Sequence, residues 1–201
     1  MQTRSLALGA MGAFAFAATT SAAVITFSQQ NVWSAYAAFQ NLTVVTEDFS
    51  GIADGFYPAP VSGNVGGINW TGGAAGGLFA DSGFLSTNNP TSLTFVFSPG
   101  VQAVAGNFFG TDFDFNAVPS LVQVTLADGT SSILFTTGPS DFSGFFSTGA
   151  AISSLTVTAA GQGAVYPTVD NLYFAVPIPA PGAAALIGLA AVATRRRRDV
   201  A

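Results

Sequence analysis

Hydrophobic and polar residues alternate along much of this chain. In residues 92–98, Leu93, Phe95 and Phe97 share one face, with Thr94 and Val96 on the other. In residues 121–127, Val122, Val124 and Leu126 do the same. A period of two puts successive side chains on opposite faces of a strand. Runs of similar character occupy 42–47, 101–109, 142–147, 153–158 and 172–175. Asp128-Gly129, between 121–127 and 131–137, predicts a hairpin closed by a type I′ turn. One segment departs from this period. Behind Ser28, a natural N-cap, Trp33, Tyr36, Ala37 and Gln40 recur at helical spacing, which predicts a short helix over 29–39. Residues 51–83 hold ten glycines and read as long loops around a short strand such as 68–71. Those loops form either plain surface or a binding edge.

Many short strands separated by turn residues predict a mainly β fold. The expected architecture is an antiparallel β-sandwich of jelly-roll type with one short N-terminal helix. Nineteen phenylalanines are available to its core. Each buried ring contributes roughly 1.5–3 kcal/mol.

Charge narrows the function. The basic residues are Arg4 and the block Arg195, Arg196, Arg197 and Arg198; there is no lysine, histidine or cysteine. Between the two ends lie nine carboxylates and no cation. Such a chain cannot neutralise phosphates, so nucleic-acid binding is excluded. Zinc sites of the usual kind and nucleophile–histidine pairs are excluded too. Any buried carboxylate must be satisfied by N–H groups, hydroxyls, water or a metal cation.

The two ends read as delivery signals. Residues 1–23 join Arg4, an apolar stretch and small residues at 19–23, the layout of a secretory signal peptide cut by signal peptidase. Residues 176–201 form a tail. Its apolar run, 182–194, spans only about 20 Å as a helix, short of the ~30 Å hydrocarbon core. Pro177, Pro179 and Pro181 precede it, and the arginine block would hold its end in the cytoplasm. The tail is expected to anchor the chain in the membrane briefly before processing.

This three-part tail resembles the PEP-CTERM sorting signal of bacterial exported proteins. The matching residues are Pro177, Ile178, Pro179, Pro181 and Gly182, the apolar helix, and Arg195 to Arg198. Ile178 stands where that family has glutamate. The resemblance implies an exosortase-like sorting protease as partner, cutting near the proline motif. It also implies transient anchoring at the inner membrane, then display in the envelope, at the surface or in the extracellular matrix. Residues 24–175, with ITFSQQNVWSAY, TEDFSGIADGFYP and PTVDNLYF, resemble the exported domains of proteins bearing such tails. That likeness implies a β-sandwich and export, and assigns no activity.

Few residues could carry chemistry. Asp112, Asp114 and Asn116 alternate with Phe113 and Phe115, so on an extended strand three oxygen-bearing groups would share a face. Calcium takes six to eight oxygens and could use them. An EF-hand is excluded, because Ala117 and Gln123 occupy its glycine and glutamate positions. The alternative is a solvated acidic strand end with both phenylalanines turned inward. A carboxylate pair could also serve glycoside hydrolysis. The chain has almost nothing to orient a substrate or stabilise an oxyanion, so no enzyme is expected. Glu47-Asp48 reads as a solvated strand end, and Asp170 as an internal cap. Tyr57 and Trp70, with Phe56 and Tyr36, are either core or plates for stacking a glycan. The expected role is that of an exported, non-catalytic structural or adhesive protein. The alternative is a carbohydrate-binding module, with calcium as the candidate support.

Overall fold

The computed structural model describes residues 23–177. The expected signal peptide, residues 1–23, lies outside that range except for Ala23. The tail from Ile178 onward, including Pro179, Pro181, Gly182 and Arg195 to Arg198, is outside it too. Pro177 is the last residue of the final strand.

The first strand, β1 (Val24–Phe27), leads into α1 (Gln30–Phe39). The remaining strands follow as β2 (Leu42–Glu47), β3 (Gly55–Tyr57), β4 (Val61–Val65), β5 (Ile68–Ala74), β6 (Leu78–Asp81) and β7 (Phe84–Thr87). Next come β8 (Leu93–Phe97), β9 (Ala103–Thr111), β10 (Ala117–Val118), β11 (Ser120–Leu126) and β12 (Ser131–Thr136). The chain ends its described course with β13 (Phe142–Ser147), β14 (Ser154–Gly161) and β15 (Tyr166–Pro177). The periodic segments became strands close to the expected bounds, except that 172–175 is only the end of the twelve-residue β15.

These strands form two antiparallel sheets. One runs β1-β13-β9-β15-β7-β6-β3, with β10 beside β9 and β2 beside β15. The other runs β12-β11-β14-β8-β5-β4. The pairings are nested: β7 with β15, β8 with β14, β9 with β13, and β11 with β12. Further pairings of β9 with β15 and β11 with β14 close the roll. A long hairpin rolled up in this way is a jelly roll, as the strand pattern predicted.

Two cores hold the layers together. Between the sheets pack Phe95, Leu155, Val124, Phe108, Phe145 and Phe174, among others. On the outer face of the larger sheet, α1 sets Trp33 and Ala37 against Ala103, Ala105, Phe142, Phe146 and Tyr173. All residues of β9 and β13 are therefore buried, because both their faces are covered. Gly144 makes room for the helix. A Cβ there would lie 2.7 Å from Trp33 Cδ1. The Trp33 indole N–H donates to the Phe145 carbonyl at 3.3 Å.

Three local expectations change. The cap of α1 is Gln29 rather than Ser28, and no side chain bonds there. The helix is held by packing more than by its ends. At Asp128-Gly129 only Gly129 has a positive φ, +90°. Leu126 N–H donates to Thr130 O at 2.8 Å, so the loop has three residues and ends in a left-handed glycine. A type I′ turn needs positive φ at both central positions. The glycine-rich stretch 51–83 is mostly strand, β3 to β6, rather than loop. Some of its glycines serve close packing: a Cβ on Gly63 would meet the Trp70 ring at 2.6 Å, and one on Gly72 the Phe95 ring at 2.8 Å.

Candidate functional site

β9 and β10 are joined by a five-residue loop, 112–116, closed by Asp112 N–H donating to Asn116 O at 3.0 Å. The extended ladder expected here does not form. Asp112 Oδ1 instead accepts the backbone N–H groups of Asp114 and Asn116, each at 2.9 Å. The Asn116 amide donates to Asp112 Oδ2 at 3.2 Å. The three polar groups thus curl around one carboxylate rather than lining a strand. Asn116 turns an N–H, not an oxygen, toward Asp112. Among the described residues, no group of three or more His, Cys, Asp or Glu is placed to hold a metal ion. Partial desolvation pushes the Asp112 carboxyl up, but the donors from Asn116 and Asp114 outweigh it and hold it below the usual range.

The same curl everts Phe113 and leaves Phe115 half-buried. Phe113 is 79% exposed, where an inward ring was the alternative expectation. Phe115 adopts φ +61°, a left-handed conformation that is unfavourable for a bulky residue. Packing on Phe79, with centroids 5.8 Å apart, accompanies it. Phe56 also packs on Phe79, at 5.5 Å, and is half exposed. An aromatic row, Phe56–Phe79–Phe115, therefore crosses the end of the larger sheet that α1 leaves uncovered.

A cavity of about 230 Å³ opens beside this loop. Phe79, Phe113, Phe115 and Tyr166 supply its aromatic walls. Ser86, Thr87, Asn88 and Asp112 supply polar groups. Ser86 Oγ is tied to Thr168 Oγ1 at 2.8 Å, and Thr168 to Thr111 Oγ1 at 2.9 Å, so hydroxyls from β7, β15 and β9 form a buried row. Thr87 differs. It is 3% exposed, and its hydroxyl has no hydrogen-bond partner among the described residues. A buried polar group left unpaired costs about 1–3 kcal/mol, which a ligand hydroxyl could recover.

The other aromatic candidates are occupied. Trp70 is 2% exposed, with Phe49 and Phe95 rings 5.4 Å and 6.0 Å away, so it has no free face for a sugar. Its indole N–H donates to Glu47 Oε2 at 2.8 Å. Tyr57 packs partly against the inter-sheet core and donates its hydroxyl to Ala53 O at 2.7 Å. Tyr36 meets Phe146 edge-on at 4.9 Å under α1.

Two carboxylates also differ from expectation. Glu47 is not a solvated end. Besides Trp70, it accepts the Phe49 N–H at Oε1, 3.0 Å, stapling β2 to β5. Asp170 lies at the irregularity where β15 slips against β9, between Val169 and Leu172. Among the described residues no backbone N–H caps it. Desolvation, then the nearby Asp48 carboxylate, pushes its carboxyl up.

The aromatic cavity was not legible as a site. Phe79 and Tyr166 are far from Asp112 in sequence, and only the sheet brings them to it. No protein-family model and no curated protein matches this chain.

Proposed function

We propose that this chain is an exported, non-catalytic surface or matrix component that adheres to uncharged polysaccharide at the cavity beside the Asp112 loop. The observation that supports this most is the pairing of aromatic walls with the unpartnered Thr87 hydroxyl, in a region without a single cation. A sugar offers an apolar ring face and hydroxyls, which suits that lining. Anionic ligands do not suit it, since residues 23–177 contain no Lys, Arg or His. Catalysis is disfavoured by the same chemistry. Asp112 is held ionised by its donors, whereas a general acid needs a raised pKa.

Export rests on the two ends: a signal peptide, and a tail resembling a sorting signal with an exosortase-like partner. Because β15 runs to Pro177, a cut just beyond it would leave the last strand whole. Mass spectrometry of protein from its native cells tests this. Loss of the first 22 or 23 residues and of Arg195 to Arg198 is expected; intact termini would count against it.

A glycan array, run with calcium and with a chelator, tests the adhesive site. Binding of neutral glycans is expected, and Phe113→Ala should weaken it about tenfold, as expected for one lost ring contact. The melting temperature should stay put, because Phe113 is exposed. A calcium-supported site would lose binding in chelator. Silence under both conditions leaves a purely structural role.

A further inference from the structure

The smaller sheet carries no charge. All six of its strands, β4, β5, β8, β11, β12 and β14, lack Asp and Glu as well as Lys and Arg. The nine carboxylates of residues 23–177 lie on the larger sheet or in loops. Two copies of so acidic a protein repel each other on most approaches. The uncharged sheet is where they can meet.

At the edge of that sheet lies β12, Ser131–Thr136, with only β11 beside it. Edge strands are normally guarded by charge, proline, a bulge or brevity. β3 is three residues long and β1 four. β12 has six residues and none of the other guards. Ile133 is 64% exposed and Phe135 66%, next to exposed Leu121 on β11. On β4, the opposite edge, no large hydrophobic side chain is exposed.

The backbone says which partner fits. Leu126 N–H bonds Thr130 O. Alternation along the ladder then aims the N–H and C=O groups of residues 132, 134 and 136 at β11. Those of Ser131, Ile133 and Phe135 point outward, unpaired by any of the described strands. An antiparallel copy of β12 centred on Leu134 would bring Ile133 opposite Phe135 of the copy, and Phe135 opposite Ile133. The outward groups then bond each other. The exposed face gains two aromatic–β-branched pairs, a favourable cross-strand combination. No charge on the strand opposes it.

We propose that this protein self-associates as a two-fold dimer through antiparallel pairing of β12 with β12, joining two uncharged sheets into one of twelve strands. The inference does not rest on the glycan reading. A dimer that ignores glycans and a monomer that binds them are separate, observable outcomes.

The chain has no cysteine, so one introduced thiol reports only its own approach. In the proposed register Leu134 faces Leu134 of the copy, about 4.5 Å apart at Cα, within disulfide reach. Ser132 faces Thr136, leaving the two Ser132 positions about 13 Å apart. The full chain in mild detergent, as Leu134→Cys, should form a disulfide-linked dimer under gentle oxidation. Ser132→Cys should not, and adding Phe135→Lys to Leu134→Cys should abolish the link. Unlinked Leu134→Cys, or equal linking at both positions, overturns the proposal. Sedimentation equilibrium avoids any folding defect at position 134. The wild-type chain should sediment as a dimer and Phe135→Lys as a monomer, while a monomeric wild type refutes the pairing.

Discussion

Asp170 shows how a single residue can work against the fold that holds it. Its carboxyl is raised by desolvation and by Asp48. The folded state therefore favours the protonated form. That stability is fully present below the ordinary value of 3.8 and is lost as pH rises through the raised one. At neutral pH the ionised group is a liability. Asp170→Asn should raise the melting temperature at pH 7 by about 1–2 °C, a small gain because solvent screens the half-exposed group. At pH 3 the gain should vanish. An equal gain at both values would mean that ionisation is not the cause. Asp48 and Asp112 have the opposite sign. Asp48 is lowered first by the Ser50 hydroxyl and then by its backbone N–H. Stability from these two is present above the ordinary value and is lost on acidification.

At the scale of elements, α1 depends on the sheet it covers. It has no side-chain cap, no acid in its first turn and no base in its last. Trp33 and Ala37 attach it, and Gly144 on β13 is the recess that admits the indole. Gly144→Ala should cost about 1–3 kcal/mol by overpacking, read as a lower denaturation midpoint. Trp33 fluorescence should report the disturbance, since its ring is the nearest neighbour of the added methyl. An unchanged midpoint would show that the helix can shift away freely. The spacing of Trp33 and Ala37 was readable beforehand. The recess was not, because a glycine in a strand pattern does not say what it faces.

For the whole molecule, the rolled topology makes the last strand indispensable. β15 pairs with β9, β7 and β2, so it fills the middle of the larger sheet. Its partners are distant in sequence, and such contacts form only after long loops have closed. A chain ending at Val165 should lack the near-ultraviolet circular dichroism of a packed core, and one ending at Pro177 should show it. A native spectrum from the shorter chain would mean that the two sheets pack without β15. The same topology ends the larger sheet at Pro177, the first proline of the expected sorting motif.

Alternation and turn residues were enough to determine a mainly β jelly roll with one short helix. Those features are local, and a strand's two faces are written in consecutive residues. The site is different. The Asp112 triplet looked extended because alternation alone cannot tell a strand from a turn in which one carboxylate gathers nearby N–H groups. Trp70 looked available because nothing local shows that Phe49 and Phe95 enclose it. Only the rolled sheets decided which rings were buried, brought Phe79 and Tyr166 to Phe115, and left β12 open at an edge. Burial and proximity are set by contacts between distant segments, and no short window of residues contains them.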